Sequence, residues 1–241
     1  MKTKFLGKNN NNKLNKSDKN LLDSITRIKE NIRFGIDIWN AYDFMYLDVN
    51  KVPHLVVLEI IIPSDSDLII ESKSMKLYLN HFYNKTYRTK NDILKIIKKD
   101  IETKIKSKIK VKLLTKFSNE PNTVNLNSLK SKLTPSKKIL KFNGFRSICP
   151  VTSQPDFANI YIYTDKSVDT KWLKKYLMSF VDHGGFHEQC IELIFTEIKS
   201  RFHIKHIEVC GRFQRRGGID INPIRGTHKT KLFKNFRQFN Q

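Results

Sequence analysis

Hydrophobic positions fall into two periodicities along this chain. Residues 33–48, RFGIDIWNAYDFMYLD, are rich in aromatic and β-branched side chains and predict an extended segment. VPHLVVLEIII, residues 52–62, predicts a strand, and IKVKLLTKF, residues 109–117, alternates as a strand does. Between them the period lengthens. Asn91 and Asp92 are N-cap candidates for a helix that puts Ile93, Ile96, Ile97, Ile101 and Ile105 on one side and Lys on the other. The second half repeats this order. FANIYIYT (157–164) predicts a strand, and DTKWLKKYLMSF (169–180) a helix opened by Asp169. FHEQCIELIFTEIKSRF (186–202) predicts a second helix, and HIEVCGRF (206–213) a further strand.

The halves also match in sequence. Laying ESKSMKLYLNHF (71–82) over DTKWLKKYLMSF (169–180) pairs Lys73 with Lys171 and Lys76 with Lys174. It also pairs Tyr78 with Tyr176, Leu79 with Leu177 and Phe82 with Phe180. Shared element order plus these coincidences predict two copies of one α+β unit, each a strand pair, two helices and a further strand. The expected organisation is a flexible segment over 1–32, a first unit over 33–117, a Ser/Asn/Lys/Pro-rich linker over 118–138, and a second unit over 139–241.

The chain has 241 residues, 39% of them hydrophobic, enough for a core in each unit. Its formal net charge of +22 suits anionic partners: nucleic acid, an anionic membrane or phosphorylated small molecules. Lys, Ile and Asn abound while Ala and Gly are scarce, and runs such as Asn9–Asn12 point to compositional drift as a competing origin of that charge. Three cysteines, Cys149, Cys190 and Cys210, give no paired framework and suit a reducing compartment. No signal-peptide pattern opens the chain, and the most apolar run, 55–62, is far too short to span a bilayer. A soluble, cytoplasmic protein is expected.

Four segments carry candidate chemistry. In CPVTSQPD (149–156), Cys149 is a candidate nucleophile, and Asp156 stands across a proline-bounded turn from which a proton could be delivered. A buried structural cysteine beside a turn aspartate reads equally well locally. In HGGFHEQC (183–190), His187 and Glu188 open a helix. Glu188 suits either capping and the helix dipole or bidentate recognition of an amidine-like edge. ESKS (71–74) puts an acid, a hydroxyl and a cation at a strand end. RRGGIDINP (215–223) fits phosphate binding or a plain basic turn. There is no GxGxxG at a strand–helix junction, no P-loop, and no CxxC…CxxC or HExxH zinc pattern, and Cys190 and Cys210 read as core packing.

Together, LIIESKSMKLYLNHF, CPVTSQPD, FHEQCIELIF and RRGGIDINP resemble the NADPH-dependent 7-cyano-7-deazaguanine reductases, the nitrile reductases of queuosine biosynthesis. The order of motifs resembles the tandem form of that family. The resemblance implies two tunnelling-fold units, each an antiparallel sheet with two helices on one face. It implies that Cys149 adds to the nitrile as a thioimide and that Asp156 donates the proton. Ile70, Glu71, Ser72, His187 and Glu188 would hold the substrate, 7-cyano-7-deazaguanine, and Ser72, Lys73, Arg216 and Gly217 the co-substrate NADPH. A homodimer is implied, without metal, membrane or obligatory nucleic acid. Some family members carry Gly where Ser153 stands, a change of consequence if the turn there needs positive φ. A GTP-cyclohydrolase-like enzyme on the same fold would need zinc, and a nucleic-acid-binding protein would leave CPVTSQPD and FHEQC unexplained.

Overall fold

The computed structural model describes residues 18–28, 32, 34–229 and 232–241. Most of the segment read as flexible, 1–32, lies outside the described residues: 1–17 and 29–31. In order, the described elements are β1 (Ser24–Thr26), β2 (Phe34–Leu47), β3 (Pro53–Pro63), β4 (Leu68–Ile70), α1 (Ser72–Asn80), α2 (Lys90–Ile105) and β5 (Lys110–Leu114). There follow β6 (Val124–Asn125), β7 (Ile139–Ile148), β8 (Pro155–Thr164), α3 (Thr170–Met178), α4 (His187–Arg201), β9 (Ile207–Phe213) and β10 (Ile219–Gly226). The fold is α+β, with mostly antiparallel strands and four α-helices, as tandem tunnelling-fold units require.

Contacts group the chain into two units, and the grouping is not linear. The first unit holds the described residues up to Ile28, Trp39–Lys116 and Arg216–Ile219. The second holds residues 34–38, Phe117–Arg215 and Asp220–Gln241. Thus the RRGG turn, expected with the second half, contributes its Arg216–Ile219 portion to the first unit.

In the first unit β3 lies between β5 and β2, pairing antiparallel with β5 so that Leu58 faces Leu113 and Ile60 faces Val111. The short β1 and β4 pair separately, antiparallel. Helix α1 buries Ser74, Met75, Tyr78 and Leu79, the i, i+1, i+4, i+5 positions that make one face. Helix α2 starts one residue before the Asn91/Asp92 expected to cap it. Its N-cap is Thr89, and Asp92 is N3 of a capping box in which each side chain meets the other's backbone N–H. Its buried stripe is Ile93, Ile97, Ile101 and Ile105, a strict i+4 row, which leaves the expected fifth member, Ile96, 40% exposed.

The second unit has the strand order β10-β9-β8-β7-β6. Residues 34–38 of β2 join it, and Asn222 on β10 donates to the Ile38 carbonyl. β8 is antiparallel to both β7 and β9, and a register shift between Phe142 and Phe145 accommodates Gly144 at φ +80°. The core lies between the sheet and α3/α4: Phe145, Ile160, Ile162, Leu173, Leu177, Ile191, Ile194 and Phe213. The expected linker is part of this unit. Val124–Asn125 pairs parallel with β7, Leu126 is in the core, and Thr134 Oγ1 accepts from the Val168 amide. Buried Arg225 donates to Asp37 at 2.7 Å and to Glu192 at 2.7 and 3.0 Å, so one cation carries two carboxylates out of water. Strands β7 and β10 escape the sequence reading. β10 is buried along its whole length despite Asp220, Asn222 and Pro223.

Candidate active site

The cysteine segment is shaped by the β7–β8 connection. Ser147 faces Asp156 and Ile148 faces Pro155 across the two strands. Beyond them the Cys149 amide donates to Gln154 O (2.9 Å) and the Ser153 amide to Cys149 O (3.0 Å), closing a tight loop. Ser153 stands at φ +55°, the left-handed conformation in which Gly costs least. Cys149 is half-buried and free, while Asp156 is only 5% exposed. A short sheet-like bridge then brings in the HGG loop. The Ile148 amide donates to His183 O (2.9 Å) and the Gly185 amide to Ile148 O (3.0 Å). Gly185 is a tight position, where a Cβ would lie 3.1 Å from His183 Nε2 and 3.4 Å from Cys190 Sγ.

That bridge sets the start of α4 beside the end of β7. The N-cap is Phe186, whose amide donates to Gln189 Oε1 at 3.0 Å, so Glu188 is not the capping side chain. Glu188 is buried in the first turn at 4% exposure. His187 Nε2 is 3.4 Å from Asp156 Oδ2, and its ring lies on Phe213 at 3.9 Å between centroids and 6° between planes. Behind them burial pushes the Cys190 thiol up to about 12, and the charges of Asp156 and Glu188 add to that rise. One unit therefore gathers Cys149, Asp156, His187 and Glu188 at the ends of β7, β8 and α4. The set comprises a sulfur nucleophile, a buried acid, an imidazole and a buried carboxylate.

The other expected residues lie in the first unit. Ile70 ends β4 and is buried. Glu71, 2% exposed, is the N-cap of α1. Its two carboxylate oxygens accept from the Lys73 and Ser74 amides, each at 2.8 Å. Ser72 and Lys73 form the first turn of that helix. With those amides satisfied by Glu71, an anion here is left to side-chain cations. The RRGG turn supplies them. Gly217 and Gly218 both have positive φ, and a Cβ on Gly217 would lie 3.2 Å from Lys76 Cδ. A Cβ on Gly218 would sit 2.3 Å from Asp43 Oδ2. Lys73, Lys76, Arg216 and Gly217 thus fall in one unit, a donor set that fits a phosphorylated dinucleotide. Lys76 was not among the expected binding residues. Its signal was its place one turn beyond Ser72 and its match to Lys174. Among the described residues no cluster of His, Cys, Asp and Glu could hold a metal ion.

Family profiles match both halves. One described as "Nitrile reductase, 7-cyano-7-deazaguanine-reductase N-term" covers residues 14–113, and one described as "QueF-like protein" covers 155–232. Proteins named NADPH-dependent 7-cyano-7-deazaguanine reductase are similar along most of the chain. That of Desulfotalea psychrophila is 36% identical over 226 residues, covering 84% of this chain and 82% of its own. That of Buchnera aphidicola subsp. Schizaphis graminum is 37% identical over 214 residues, covering 79% and 82%. The Paraburkholderia phytofirmans protein is 33% identical over 227 residues, covering 85% and 83%. The chain belongs to the 7-cyano-7-deazaguanine reductase family. No described helix is long and apolar enough to cross a membrane.

Proposed function

We propose that this protein reduces the nitrile of 7-cyano-7-deazaguanine to the aminomethyl group, consuming two NADPH and two protons, through a covalent adduct on Cys149. The observation that carries this reading is the convergence of half-buried Cys149 and His187 with buried Asp156 and Glu188 in one unit of a chain of this family. Cys149 Sγ forms a C–S bond to the nitrile carbon, and the nitrile nitrogen takes a proton from Asp156, which stands at the opposite side of the same hairpin loop. The product is a thioimide, whose C=N accepts hydride more readily than the nitrile. One NADPH would supply hydride to that carbon, the C–S bond would then break to release Cys149 as thiolate and leave an imine, and the second NADPH with a second proton would reduce the imine to the amine. Glu188 accepts from the ring's paired N–H donors, and being buried it discriminates strongly against rings that lack them. His187 holds the substrate beside Asp156. In the first unit Ile70, Glu71 and Ser72 take the substrate role, and Ser72, Lys73, Arg216 and Gly217 with Lys76 take the phosphates of NADPH.

We further place the enzyme in the reducing cytoplasm as a homodimer, in accord with three free cysteines and with the closure of tunnelling-fold sheets by symmetric association. The decisive experiment follows nicotinamide absorbance with the nitrile present, alongside intact-protein mass. Wild type should turn over and gain the mass of the nitrile. Cys149→Ala should do neither, and an adduct persisting in that variant removes Cys149 from the mechanism.

A further inference from the structure

His187 occupies a position that its own helix does not fix. It is the first residue of α4, so no preceding turn supports its side chain. An imidazole that must present one nitrogen is normally anchored through a hydrogen bond at the other. Here Nδ1 is buried with no hydrogen-bond partner among the described residues, while Nε2 faces Asp156 at 3.4 Å. The face of the ring lies on Phe213, stacked at 3.9 Å between centroids and 6° between planes.

Phe213 is itself held on several sides. It ends β9 opposite Ala158, two residues beyond Asp156 on β8, and alternation puts Asp156 and Ala158 on the same face. Phe145 meets its ring edge-on at 6.1 Å and 88°. The Phe213 carbonyl accepts from Gln241 Nε2 at 3.0 Å. Gly211 leaves it space, because a Cβ at that position would lie 2.7 Å from both Phe213 Cε2 and Ile191 Cδ1. The same glycine therefore lets α4 approach β9 closely enough for His187 to reach the Phe213 ring.

We propose that Phe213 is a positioning residue: its ring face sets the plane of His187 and so aims Nε2 at Asp156, with Gly211 admitting both ring and helix. This rests on the active-site reading above, in which Asp156 is the proton donor. Phe213 touches neither substrate nor cofactor in this scheme and acts only through His187. A residue that merely filled the core would affect stability and leave the protonation behaviour of the site alone.

The test compares Phe213→Met, which keeps bulk and loses the flat face, with Phe213→Tyr, which keeps the face. Steady-state kinetics with the nitrile and NADPH are run across pH on the whole protein. Phe213→Met should lower kcat about tenfold or more and displace the acid limb of the pH–kcat profile, while Phe213→Tyr stays within about threefold of wild type. A wild-type kcat and profile in Phe213→Met overturns the proposal, as does an equal loss in both variants that tracks their melting temperatures. A measurement on unmutated protein guards against misfolded variants. The His187 ring protons, assigned by their disappearance in His187→Ala, should carry an upfield ring-current shift in the NMR spectrum, and normal positions refute the stack. His187→Ala and Asp156→Asn are assayed in parallel. If both turn over normally, the active-site reading fails, whereas if both are impaired and Phe213→Met is not, only the positioning role fails.

Discussion

The second helices of the two units, α2 and α4, begin in opposite ways. Helix α2 opens toward water, where Thr89 and Asp92 satisfy each other's backbone in an exposed capping box. Helix α4 opens into the protein, leaving its N-cap position to a phenylalanine and burying Glu188 and, a turn later, Glu192. The contrast extends along the helices. The buried stripe of α2 is four isoleucines, and that of α4 interleaves Cys190, Ile191, Ile194, Phe195 and Ile198 with the two carboxylates. The first helices, by contrast, are alike. Each spans nine residues, each has an extended acidic N-cap (Glu71 and Asp169), and each ends in a right-handed C-cap. The copies thus agree in the acidic caps of their first helices and diverge at the start of the second, where α4 alone takes two carboxylates, Glu188 and Glu192, into its buried face.

Four substitutions or conditions sharpen this contrast. The largest effect should come from Glu192→Leu, which removes one of two carboxylates from fully buried Arg225 and should cost about 3–5 kcal/mol in urea unfolding. A cost below 1 kcal/mol would mean that Asp37 alone suffices for that arginine. Next, Glu188→Gln should lower kcat/KM roughly ten- to a hundredfold, the worth of about 1.5–3 kcal/mol for a charged hydrogen bond. Asp92→Asn on α2 should leave kcat/KM unchanged, and equal losses in the two would erase the distinction between the helix starts.

Third, alkaline pH should expose the buried thiols. Burial pushes Cys190 and Cys210 up to about 12 from an ordinary thiol value near 9, so the native state keeps two protons that the unfolded chain loses. Their stabilising contribution is complete below about pH 9 and is lost as pH climbs toward 12, at up to about 1.4 kcal/mol per pH unit for each thiol. The double variant Cys190→Ala, Cys210→Ala should flatten this part of the stability–pH curve, and an unchanged slope would deny that these thiols stay protonated. The smallest effect concerns the caps. Glu71→Ala and Asp169→Ala should each cost about 1 kcal/mol in thermal unfolding. Only Glu71→Ala should also raise KM for the nitrile. Equal KM values would reduce Glu71 to a cap.

Much of this was legible in the sequence because the apolar periods are clear. The i+4 row of α2, the acidic start of α3 and the alternation of β8 and β9 all come from positions that pack locally. The motifs around Cys149, Glu71, His187 and Arg216 were legible through family resemblance more than through local chemistry. What escaped depends on distant partners. Strand β10 reads as polar because Asp220, Asn222 and Arg225 are buried among groups far along the chain, and its Pro223 argues against a central strand. Ile96 fits a helical stripe on paper, yet the unit buries only a single row. Glu188 looked like a natural cap, but the phenylalanine before His187 takes that place with help from Gln189. The stacking of Phe213 under His187 requires knowing that β9 and α4 meet, which Gly211 permits but does not announce.

The Asp37–Arg225 pair has a consequence for how the chain is made. Its two members are separated by 188 positions. During synthesis the strand carrying Asp37 leaves the ribosome long before its cation exists, so that end of β2 waits for β10. Such a late, far-reaching closure carries a large loop entropy and slows folding. Ribosome-arrested chains stopped before residue 225 should therefore show protease-sensitive cleavage near Asp37 that vanishes once Arg225 emerges, since the partner that fixes the start of β2 is made 188 positions later.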